Sequence, residues 1–294
     1  MFGNFPLSQK IILVTGGGSG ISLEFVRLAH DSGAKVLIAD IQLTQEAERL
    51  VAAKDDVHFQ HCDVRKWDDL HALIKRSKEI WNTVPDVYIA GAGIFEPKWS
   101  SFWDDSEQDG YRSTAINVDH PIKLTRIAIR ALLGAGKKGV VCIIGSLAGV
   151  MGTYACPLYC ATKHAVVGFV KSMAACDLLE GVKVTTICPC AVKTPLWTDH
   201  PEKMTQFGFD QAETVPVREV ARAIQRLVED DKYSGGTVLE ITANGTRVIP
   251  EWGVSPPRTK LTGVSGKEID QNIGPVIKLL EMERMRSSLS TSES

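Results

Sequence analysis

Residues 10–20 read Lys-Ile-Ile-Leu-Val-Thr-Gly-Gly-Gly-Ser-Gly, a short apolar run that ends in a cluster of glycines. The apolar run predicts a strand that is buried on both faces. A helical pattern of apolar residues follows from Ile21 to about Ser32. A glycine-rich turn between a strand and a helix presents backbone N–H groups to a phosphate. The stretch therefore predicts a strand, a phosphate-binding turn and a helix.

The next apolar run, from Gly33 to Asp40, predicts a second strand that ends in an acid. Asp40 follows Gly16 by 24 residues, close to the roughly 20 residues expected between the glycines and a ribose-binding carboxylate. A carboxylate there accepts hydrogen bonds from the adenosine 2′-hydroxyl and repels a 2′-phosphate. Residues 16–20 contain no Arg or Lys, and Ile41 follows the acid. The sequence therefore predicts NAD as the cofactor in preference to NADP.

Strand-like and helical patterns alternate along the chain as far as about residue 242. This alternation predicts an α/β fold with a doubly wound parallel sheet and helices on both faces. We expect one domain over residues 1–245. The predicted sheet has seven strands, near 10–15, 33–40, 57–62, 86–93, 139–145, 182–188 and 237–242.

The composition changes after about residue 245. Prolines and glycines predict an irregular segment, followed by a short amphipathic helix near 275–285 and a disordered tail from 287. The helix could pack on the body, on a partner subunit or over the substrate mouth, or lie on a membrane surface, and we favour packing. Residues 246–294 are thus expected to form a C-terminal extension.

The overall composition is ordinary, with 44% apolar residues, 23% charged residues and a formal net charge of −2. This charge balance gives no support for a nucleic-acid partner. No apolar run is long enough to predict a membrane span, and the first nine residues lack the features of a secretory signal. Seven cysteines, mostly in apolar or helical settings, indicate reduced thiols in a cytoplasmic protein. A zinc site on the cysteine pairs is conceivable, but incidental thiols are favoured and we expect no metal.

Three polar residues near the middle of the chain predict catalytic chemistry. Ser146 follows a buried strand, and Tyr159 and Lys163 are four residues apart in a helical pattern. This spacing places the phenol and the ammonium on one helix face. A nearby positive charge lowers the pKa of a tyrosine from its usual value near ~10. Such a tyrosine can exchange a proton with a substrate hydroxyl or carbonyl, whose oxygen the serine would hold.

Several motifs in order resemble the short-chain dehydrogenase/reductase family. They are Thr15-Gly16-x-x-x-Gly20-Ile21, Asp40, Asp63-Val64, Ala92-Gly93, Asn117, Ser146, Tyr159-x-x-x-Lys163, and Pro189 with Thr194. The resemblance spans about residues 10–242 and is strongest to the branch like 15-hydroxyprostaglandin dehydrogenase, with a weaker likeness to fungal secondary-metabolite dehydrogenases. It implies a Rossmann fold and an NAD-linked oxidation of secondary alcohols.

The resemblance also implies a role for each residue of a catalytic tetrad. Tyr159 would be the acid and base, and Lys163 would lower its pKa and hold the nicotinamide ribose. Ser146 would bind the reacting oxygen, and Asn117 would hold a water that relays protons. Loop 196–215 would be a mobile substrate lid. The implied cofactor-binding residues are Gly16, Gly18, Ser19, Gly20, Ile21, Asp40, Asp63, Val64, Ala92, Gly93, Asn117, Tyr159, Lys163, Pro189, Val192 and Thr194.

The sequence departs from the family pattern at three places, all on the cofactor side. Ser22 replaces the usual third turn glycine and is expected to crowd the pyrophosphate or bond to it. Ala90-Gly91 replaces the usual Asn-Asn, which removes a side-chain bond that steadies the central sheet. Cys190 replaces a glycine after Pro189. These departures predict altered nucleotide binding more than lost chemistry.

The sequence therefore predicts an NAD(H)-dependent oxidoreductase. It would act on a secondary alcohol or ketone of an apolar substrate, such as a polycyclic molecule or a secondary metabolite. Two alternatives remain: a nucleotide-binding scaffold or regulator that has lost redox activity, and a non-redox cyclase or isomerase on the same fold. The resemblance also implies a homodimer or homotetramer that uses the two long helices, predicted near 107–135 and 156–180.

Overall fold

The computed structural model describes residues 3–96, 100–209, 214–250 and 276–285. The strands in these ranges are β1 Ile11–Thr15, β2 Lys35–Asp40, β3 Val57–His61, β4 Val87–Ala90, β5 Gly139–Ile144, β6 Val182–Pro189, β7 Val238–Thr242 and β8 Gly245–Val248. They form one sheet in the order β3-β2-β1-β4-β5-β6-β7-β8. Strands β1 to β7 all run parallel to one another, which confirms the doubly wound α/β fold.

The helices alternate with the strands, as the pattern predicts. They are α1 Gly20–Asp31, α2 Gln45–Ala53, α3 Trp67–Trp81, α4 Arg112–Thr114, α5 His120–Gly134, α6 Pro157–Ser172, α7 Cys176–Glu180, α8 Pro195–Thr198, α9 Pro201–Gln206 and α10 Val217–Glu229. A π-helix covers Ala115–Asp119, and a short 3₁₀-helix covers Leu147–Gly149. No helix in the described ranges is both long and apolar enough to cross a membrane.

The central strands are apolar throughout because helices cover both faces of the sheet. On β1, Ile12 and Val14 belong to the core that includes side chains of α1 and α10. Leu13 between them belongs to the opposite core, which includes side chains of α3, α5 and α6. All five β1 residues are buried. Successive strand residues point to opposite faces, so burial on both sides requires a continuous apolar run.

An eighth strand corrects the predicted count of seven. β8 pairs antiparallel with β7 after a two-residue turn, with Thr242 opposite Gly245. All four β8 residues are exposed. An exposed edge strand needs no apolar pattern, so β8 carries no hydrophobic signal in the sequence.

Both of the long predicted helices differ from the prediction, the first in where it begins and the second in being divided. The predicted helix 107–135 begins only at Arg112, because Gly110 takes a φ of +103°, a conformation that ends or precedes helices. The predicted helix 156–180 divides into α6 and α7. A Cβ on Gly236 would lie 2.6 Å from the Cβ of Ala174, so the turn before β7 packs directly on the break between the two helices.

A C-terminal helix at 276–285 packs on the body of the domain. Leu280 is buried within the core that includes α5 side chains. The Glu283 carboxylate accepts two hydrogen bonds from the Arg126 guanidinium, at 2.5 and 3.1 Å, and Arg284 pairs with Glu180. The predicted irregular segment and disordered tail fall mostly on 251–275 and 286–294, outside the described residues.

We expect Glu283→Ala to loosen this C-terminal helix without unfolding the domain. A half-buried bidentate pair contributes about 1 kcal/mol, so amide hydrogen exchange over 276–285 should accelerate about 5-fold. Exchange in α5 should not change. Glu281→Ala is the matched control, because Glu281 is exposed on the same helix. Equal exchange rates in the two variants would show that the ion pair does not hold the helix.

Candidate active site

A cleft of about 840 Å³ opens at the carboxyl ends of the parallel strands. It lies where the sheet order reverses, because β1 pairs with both β2 and β4. Asp40 and Asp63 line one end, and Tyr159, Trp197 and Phe207 line the other. Among the described residues, the cleft wall includes every predicted site residue except Asn117. The switch point of an open sheet is the usual ligand crevice of α/β proteins.

The glycine turn after β1 lies in van der Waals contact with its surroundings. A Cβ on Gly16 would lie 2.6 Å from the backbone of Ala92, and Gly16 has a φ of +67°. A Cβ on Gly18 would lie 2.3 Å from the carbonyl oxygen of Gln42. Only glycine fits these positions, and the turn leads directly into the N-terminus of α1. Backbone N–H groups at such a terminus suit a phosphate.

Asp40 is held against this turn. Its Oδ2 accepts a hydrogen bond from the Gly18 N–H at 2.9 Å, and its Oδ1 accepts one from the Ile41 N–H at 2.7 Å. The Thr44 hydroxyl donates to the Gly18 carbonyl oxygen at 2.7 Å. Burial raises the pKa of the Asp40 carboxyl, while these backbone bonds oppose the shift. The carboxylate is therefore fixed beside the glycine turn.

Asp63 makes an ion pair that the sequence did not reveal. Arg65 Nη2 lies 2.7 Å from Asp63 Oδ2, and Arg65 Nε donates to Oδ1 at 2.9 Å. The hydrogen bond from Arg65 is the main cause of the lowered pKa of the Asp63 carboxyl. Arg65 also lines the cleft, so the end of the cleft next to Asp63 contains a guanidinium already bound to a carboxylate.

The structure brings Ser146, Tyr159 and Lys163 together at the other end of the cleft. Ser146 and Tyr159 line the same part of the cleft, and the Ser146 hydroxyl is near enough to the phenol to favour its ionised form. Lys163 Nζ donates to the Ile144 carbonyl oxygen at 2.9 Å and lies 5.6 Å from the centroid of the Tyr159 ring. α6 supplies the phenol and the ammonium, and the end of β5 supplies the serine.

Burial controls the pKa values of this cluster in the protein alone. Burial raises the pKa of the Tyr159 phenol above its usual value, and the hydrogen bond with Ser146 opposes the rise. Burial lowers the pKa of the Lys163 ammonium to about 8. The predicted lowering of the tyrosine pKa therefore differs from the direction in the isolated chain, because the cost of removing the phenolate from water outweighs the interaction with Ser146.

Asn117 lies behind the cleft wall, in the π-helix. Its Oδ1 accepts a hydrogen bond from the Ile94 N–H at 2.9 Å, and its Nδ2 donates to the Ile94 carbonyl at 2.9 Å. Nδ2 also donates to the Thr162 hydroxyl at 3.2 Å. Single-turn π-helices are frequent at functional sites. This side chain joins the segment after β4 to α6, and the predicted water relay stays a prediction.

The segment after β6 closes on the glycine turn. A Cβ on Gly20 would lie 3.4 Å from the Thr194 side chain, and Val192 is buried in the core. The Cys190 N–H donates to the Ile241 carbonyl at 2.9 Å, and Cys190 lines the cleft. Pro189, Val192 and Thr194 thus line the cleft between the glycine turn and Tyr159.

The Ser22 side chain lies where a side chain at position 91 would otherwise be. A Cβ on Gly91 would lie 2.1 Å from Ser22 Oγ and 2.8 Å from the Thr15 carbonyl oxygen. Ser22 is buried, and its hydroxyl points at the backbone of Gly91. The missing side chain at 91 therefore leaves the room that the serine fills.

A buried histidine, which the sequence analysis missed, braces the end of the sheet. His120 Nε2 lies 3.0 Å from the Thr15 hydroxyl, and Nδ1 lies 3.1 Å from the Ile116 carbonyl oxygen. A carbonyl only accepts, so we assign the proton to Nδ1, and the Thr15 hydroxyl donates to Nε2. The Thr15 hydroxyl accepts from the Gly91 N–H at 3.2 Å. This chain of bonds joins β1, β4 and α5 beside the position where the family's asparagine is absent.

Aromatic side chains form the wall around Tyr159. The ring of Phe95 meets the Tyr159 ring edge-on at 4.6 Å between centroids, and it lies 5.0 Å from the rings of both Trp197 and Phe207. Trp197 also contacts Phe209 at 4.8 Å. α8 and α9 thus place part of the predicted lid 196–215 over Tyr159, while 210–213 lie outside the described residues.

Six of the seven thiols are buried and suited to packing, and Cys190 is partly exposed. No disulfide joins the cysteines of the described ranges, which include all seven. Burial raises the pKa of the Cys156 thiol to about 12 and of the Cys188 thiol to about 11. No group of His, Cys, Asp or Glu side chains in the described part of the chain is arranged to hold a metal ion.

Known proteins that resemble this chain in sequence include dehydrogenases and reductases. The family model for short chain dehydrogenase matches residues 10–205. "Short-chain dehydrogenase reductase 3a" of Arabidopsis thaliana is 33% identical over 257 residues, which cover 83% of this chain and 98% of that protein. "(+)-Borneol dehydrogenase 2" of Salvia officinalis is 32% identical, with coverage of 82% and 90%. The rat "15-hydroxyprostaglandin dehydrogenase [NAD(+)]" is 28% identical, with coverage of 86% and 98%.

A solved structure has the same fold. The 3-ketoacyl-(acyl-carrier-protein) reductase of Brucella melitensis, complexed with NADH, matches with a TM-score of 0.69. It is 25% identical in sequence, and the match covers 80% of this chain and 98% of the reductase.

We expect Gly91→Ala to destabilise the protein more when Ser22 is present than in a Ser22→Gly background. The added methyl group meets Ser22 Oγ, and overpacking of this kind costs about 1–3 kcal/mol. The added methyl group would still meet the Thr15 carbonyl oxygen in both backgrounds. Ser22→Gly should therefore remove only part of the destabilisation. Urea unfolding of the four proteins measures the coupling. Gly168→Ala is the control, because its Cβ would meet open space. An equal cost of Gly91→Ala in both backgrounds would contradict the shared-space account.

We expect His120 to make the protein acid-sensitive. Burial lowers the pKa of His120 to about 4, whereas an unfolded histidine titrates near ~6.5. The unfolded chain therefore binds the proton first, and stability falls as pH drops from about 6.5 to about 4, by about 3 kcal/mol at pH 4. Urea unfolding across this range should show a flatter profile for His120→Gln than for the wild type. Parallel profiles would contradict a neutral buried imidazole.

Proposed function

The chain belongs to the short-chain dehydrogenase/reductase family of oxidoreductases, and from that premise we propose that it transfers a hydride between NAD(H) and a secondary alcohol or ketone. The observation that supports this most is the convergence of Ser146, Tyr159 and Lys163 at one end of the cleft. The opposite end offers a glycine turn and a strand-end carboxylate suited to an adenosine.

The residues present fit a dinucleotide. Side chains at Gly16 and Gly18 would collide with the backbone of Ala92 and Gln42, so glycine at both positions lets the turn follow the path that brings the N-terminus of α1 to the cleft, where it would face a pyrophosphate. Asp40 would accept hydrogen bonds from the adenosine ribose, and Asp63 and Val64 would border the adenine. Lys163 would hold the nicotinamide ribose, and Val192 and Thr194 would hold the carboxamide. When bound, the nicotinamide supplies or accepts the hydride.

The protein's own side chains would handle the proton. In the reducing direction, the Tyr159 phenol donates its proton to the substrate oxygen while that oxygen gains charge. In the oxidising direction, the phenolate takes the hydroxyl proton back. The Ser146 hydroxyl would hold the same oxygen, and the Lys163 ammonium stabilises the phenolate that forms. Asn117 would keep the segment after β4 aligned with α6. It would also hold a water that relays protons from Lys163.

We propose NAD over NADP from the charges at the adenine end. The Asp40 carboxylate would face the 2′-position, and the next residue, Ile41, is 60% exposed and uncharged. Arg65 is the cation lining this end and is bound to Asp63, which makes it less suited to a 2′-phosphate. The relative named as an NAD(+) enzyme and the structural relative with NADH support the same choice.

The substrate is proposed to be apolar. Phe95, Trp197 and Phe207 surround the face of the cleft next to Tyr159. Relatives named for borneol and for a hydroxyprostaglandin suggest a terpene alcohol or an oxygenated lipid as first probes. A homodimer or homotetramer and a cytoplasmic location also stay proposals, which rest on the family resemblance and the buried thiols.

We expect Tyr159→Phe to reduce turnover at least 1,000-fold and to change NADH affinity less than 3-fold. The variant keeps the ring packing against Phe95 but removes the proton donor. Absorbance at 340 nm with a panel of apolar ketones measures turnover, and fluorescence titration measures NADH binding. Tyr154→Phe is the control, because Tyr154 is 81% exposed. Retained turnover in Tyr159→Phe would refute the assigned role.

We expect Asp40→Asn to weaken NADH binding about 10-fold and to reduce the discrimination against NADPH. The amide keeps the shape but loses the charge that strengthens the ribose hydrogen bonds and repels a 2′-phosphate. Separate titrations with NADH and NADPH measure both effects, with Asp56→Asn as an exposed control. A wild-type preference for NADPH would overturn the role of Asp40 while leaving the oxidoreductase proposal intact.

A further inference from the structure

A buried carboxylate lies in the loop between β4 and α4, and the family motifs do not include it. Glu96 is 1% exposed and follows Phe95, whose ring packs on Tyr159. Burial of a carboxylate is costly unless both oxygens accept hydrogen bonds. Its partners therefore indicate what it holds in place.

Among the described residues, both hydrogen-bond donors to the Glu96 carboxylate are backbone N–H groups. Oε2 accepts from the Tyr159 N–H at 2.7 Å, and Oε1 accepts from the Phe102 N–H at 2.9 Å. Tyr159 is the third residue of α6, which begins at Pro157. The N–H groups of a helix's first turn have no partner within the helix. Glu96 thus supplies one end of the catalytic helix with its cap from 63 residues away.

The usual source of such a cap does not serve here. The residue before α6 is Cys156, and within the described residues its side chain makes no capping hydrogen bond. A negative charge at a helix N-terminus also interacts favourably with the helix dipole. Glu96 therefore takes the role that a Ser, Thr, Asp or Asn before the helix would normally have.

The residues around Glu96 link three parts of the site. Ile94 exchanges two hydrogen bonds with Asn117. Phe95 packs between the Tyr159 ring and the lid residues Trp197 and Phe207. Glu96 fixes the backbone of Tyr159 itself. Three consecutive residues thus align the proton-relay side, the substrate wall and the catalytic helix.

We propose that Glu96 is a positioning residue that sets the phenol of Tyr159 in its reactive place by capping α6. This inference rests on the proposed function. Misplacing reacting groups by about 1 Å can cost roughly 100-fold in rate. Loss of the cap should therefore lower kcat and leave nucleotide binding nearly unchanged, because the glycine turn and Asp40 lie at the other end of the cleft.

The test compares Glu96→Gln with Glu96→Asp and the wild type. Glutamine has one acceptor oxygen and one NH₂ group, so one of the two backbone N–H groups would face a donor. We expect kcat to fall 10- to 100-fold, KM and the NADH Kd to change less than 3-fold, and the deuterium isotope effect on kcat to rise. Glu96→Asp keeps two acceptor oxygens and should recover part of kcat.

Glu229→Gln is the matched control. Glu229 Oε1 accepts from the Leu7 N–H at 2.9 Å, far along the chain from the site. The control should lose similar stability but keep kcat and the isotope effect. If Glu96→Gln keeps kcat, or loses NADH affinity with kcat unchanged, the inference is overturned. Failure of Glu96→Asp to recover any kcat would also count against it, since two acceptors would then be insufficient.

Hydrogen exchange separates this inference from the proposed function. Amides of 158–163 should exchange faster in Glu96→Gln and not in Glu229→Gln. Unchanged exchange there would overturn the capping role whatever the activity. A wild-type protein that turns over no apolar ketone with NADH, yet shows faster exchange in Glu96→Gln, would overturn the proposed function and leave the cap of α6 established.

Discussion

The close approach of the turn after β1 to the end of β4 determines the rest of the site. A side chain at Gly16 would overlap the backbone of Ala92, so the two strand ends meet without any side chain between them. Thr15 lies in register with Ala90 of β4 and Ala39 of β2, which brings Asp40 beside the same edge. The cleft exists because the connections from β1 and β4 leave this edge in opposite directions.

Buried hydrogen bonds and close packing hold the strand ends together around this contact. Thr15, His120 and the Gly91 N–H form a buried chain of hydrogen bonds, and Ser22 fills the space above Gly91. On the adjacent side, Asn117 and Glu96 hold the residues after β4 against α6. The predicted loss of a sheet-steadying side chain at 90–91 is therefore offset by contacts from α1 and α5, and the end of the cleft next to Tyr159 keeps its support.

Much of this arrangement follows from local patterns, and the remainder depends on contacts between distant residues. Continuous apolar runs predict strands covered on both faces, and the 24-residue spacing from Gly16 predicts Asp40 at the same edge. β8 escaped prediction because an exposed edge strand has no apolar pattern. Glu96 and His120 escaped because their partners lie 63 and 105 residues away. The direction of the Tyr159 pKa depends on depth of burial, which spacing alone does not give.

The central claim is that this cleft moves a hydride between a nicotinamide and a carbinol carbon while Tyr159 moves the proton. The most direct test is to supply NADH deuterated at C4 with a reducible apolar ketone and analyse the alcohol by mass spectrometry. The account predicts one deuterium on the carbinol carbon for each NADH oxidised when the transferred position carries the label, and none with the opposite C4 epimer. An alcohol or rearranged product formed without label from either epimer, or without NADH consumption, would contradict it.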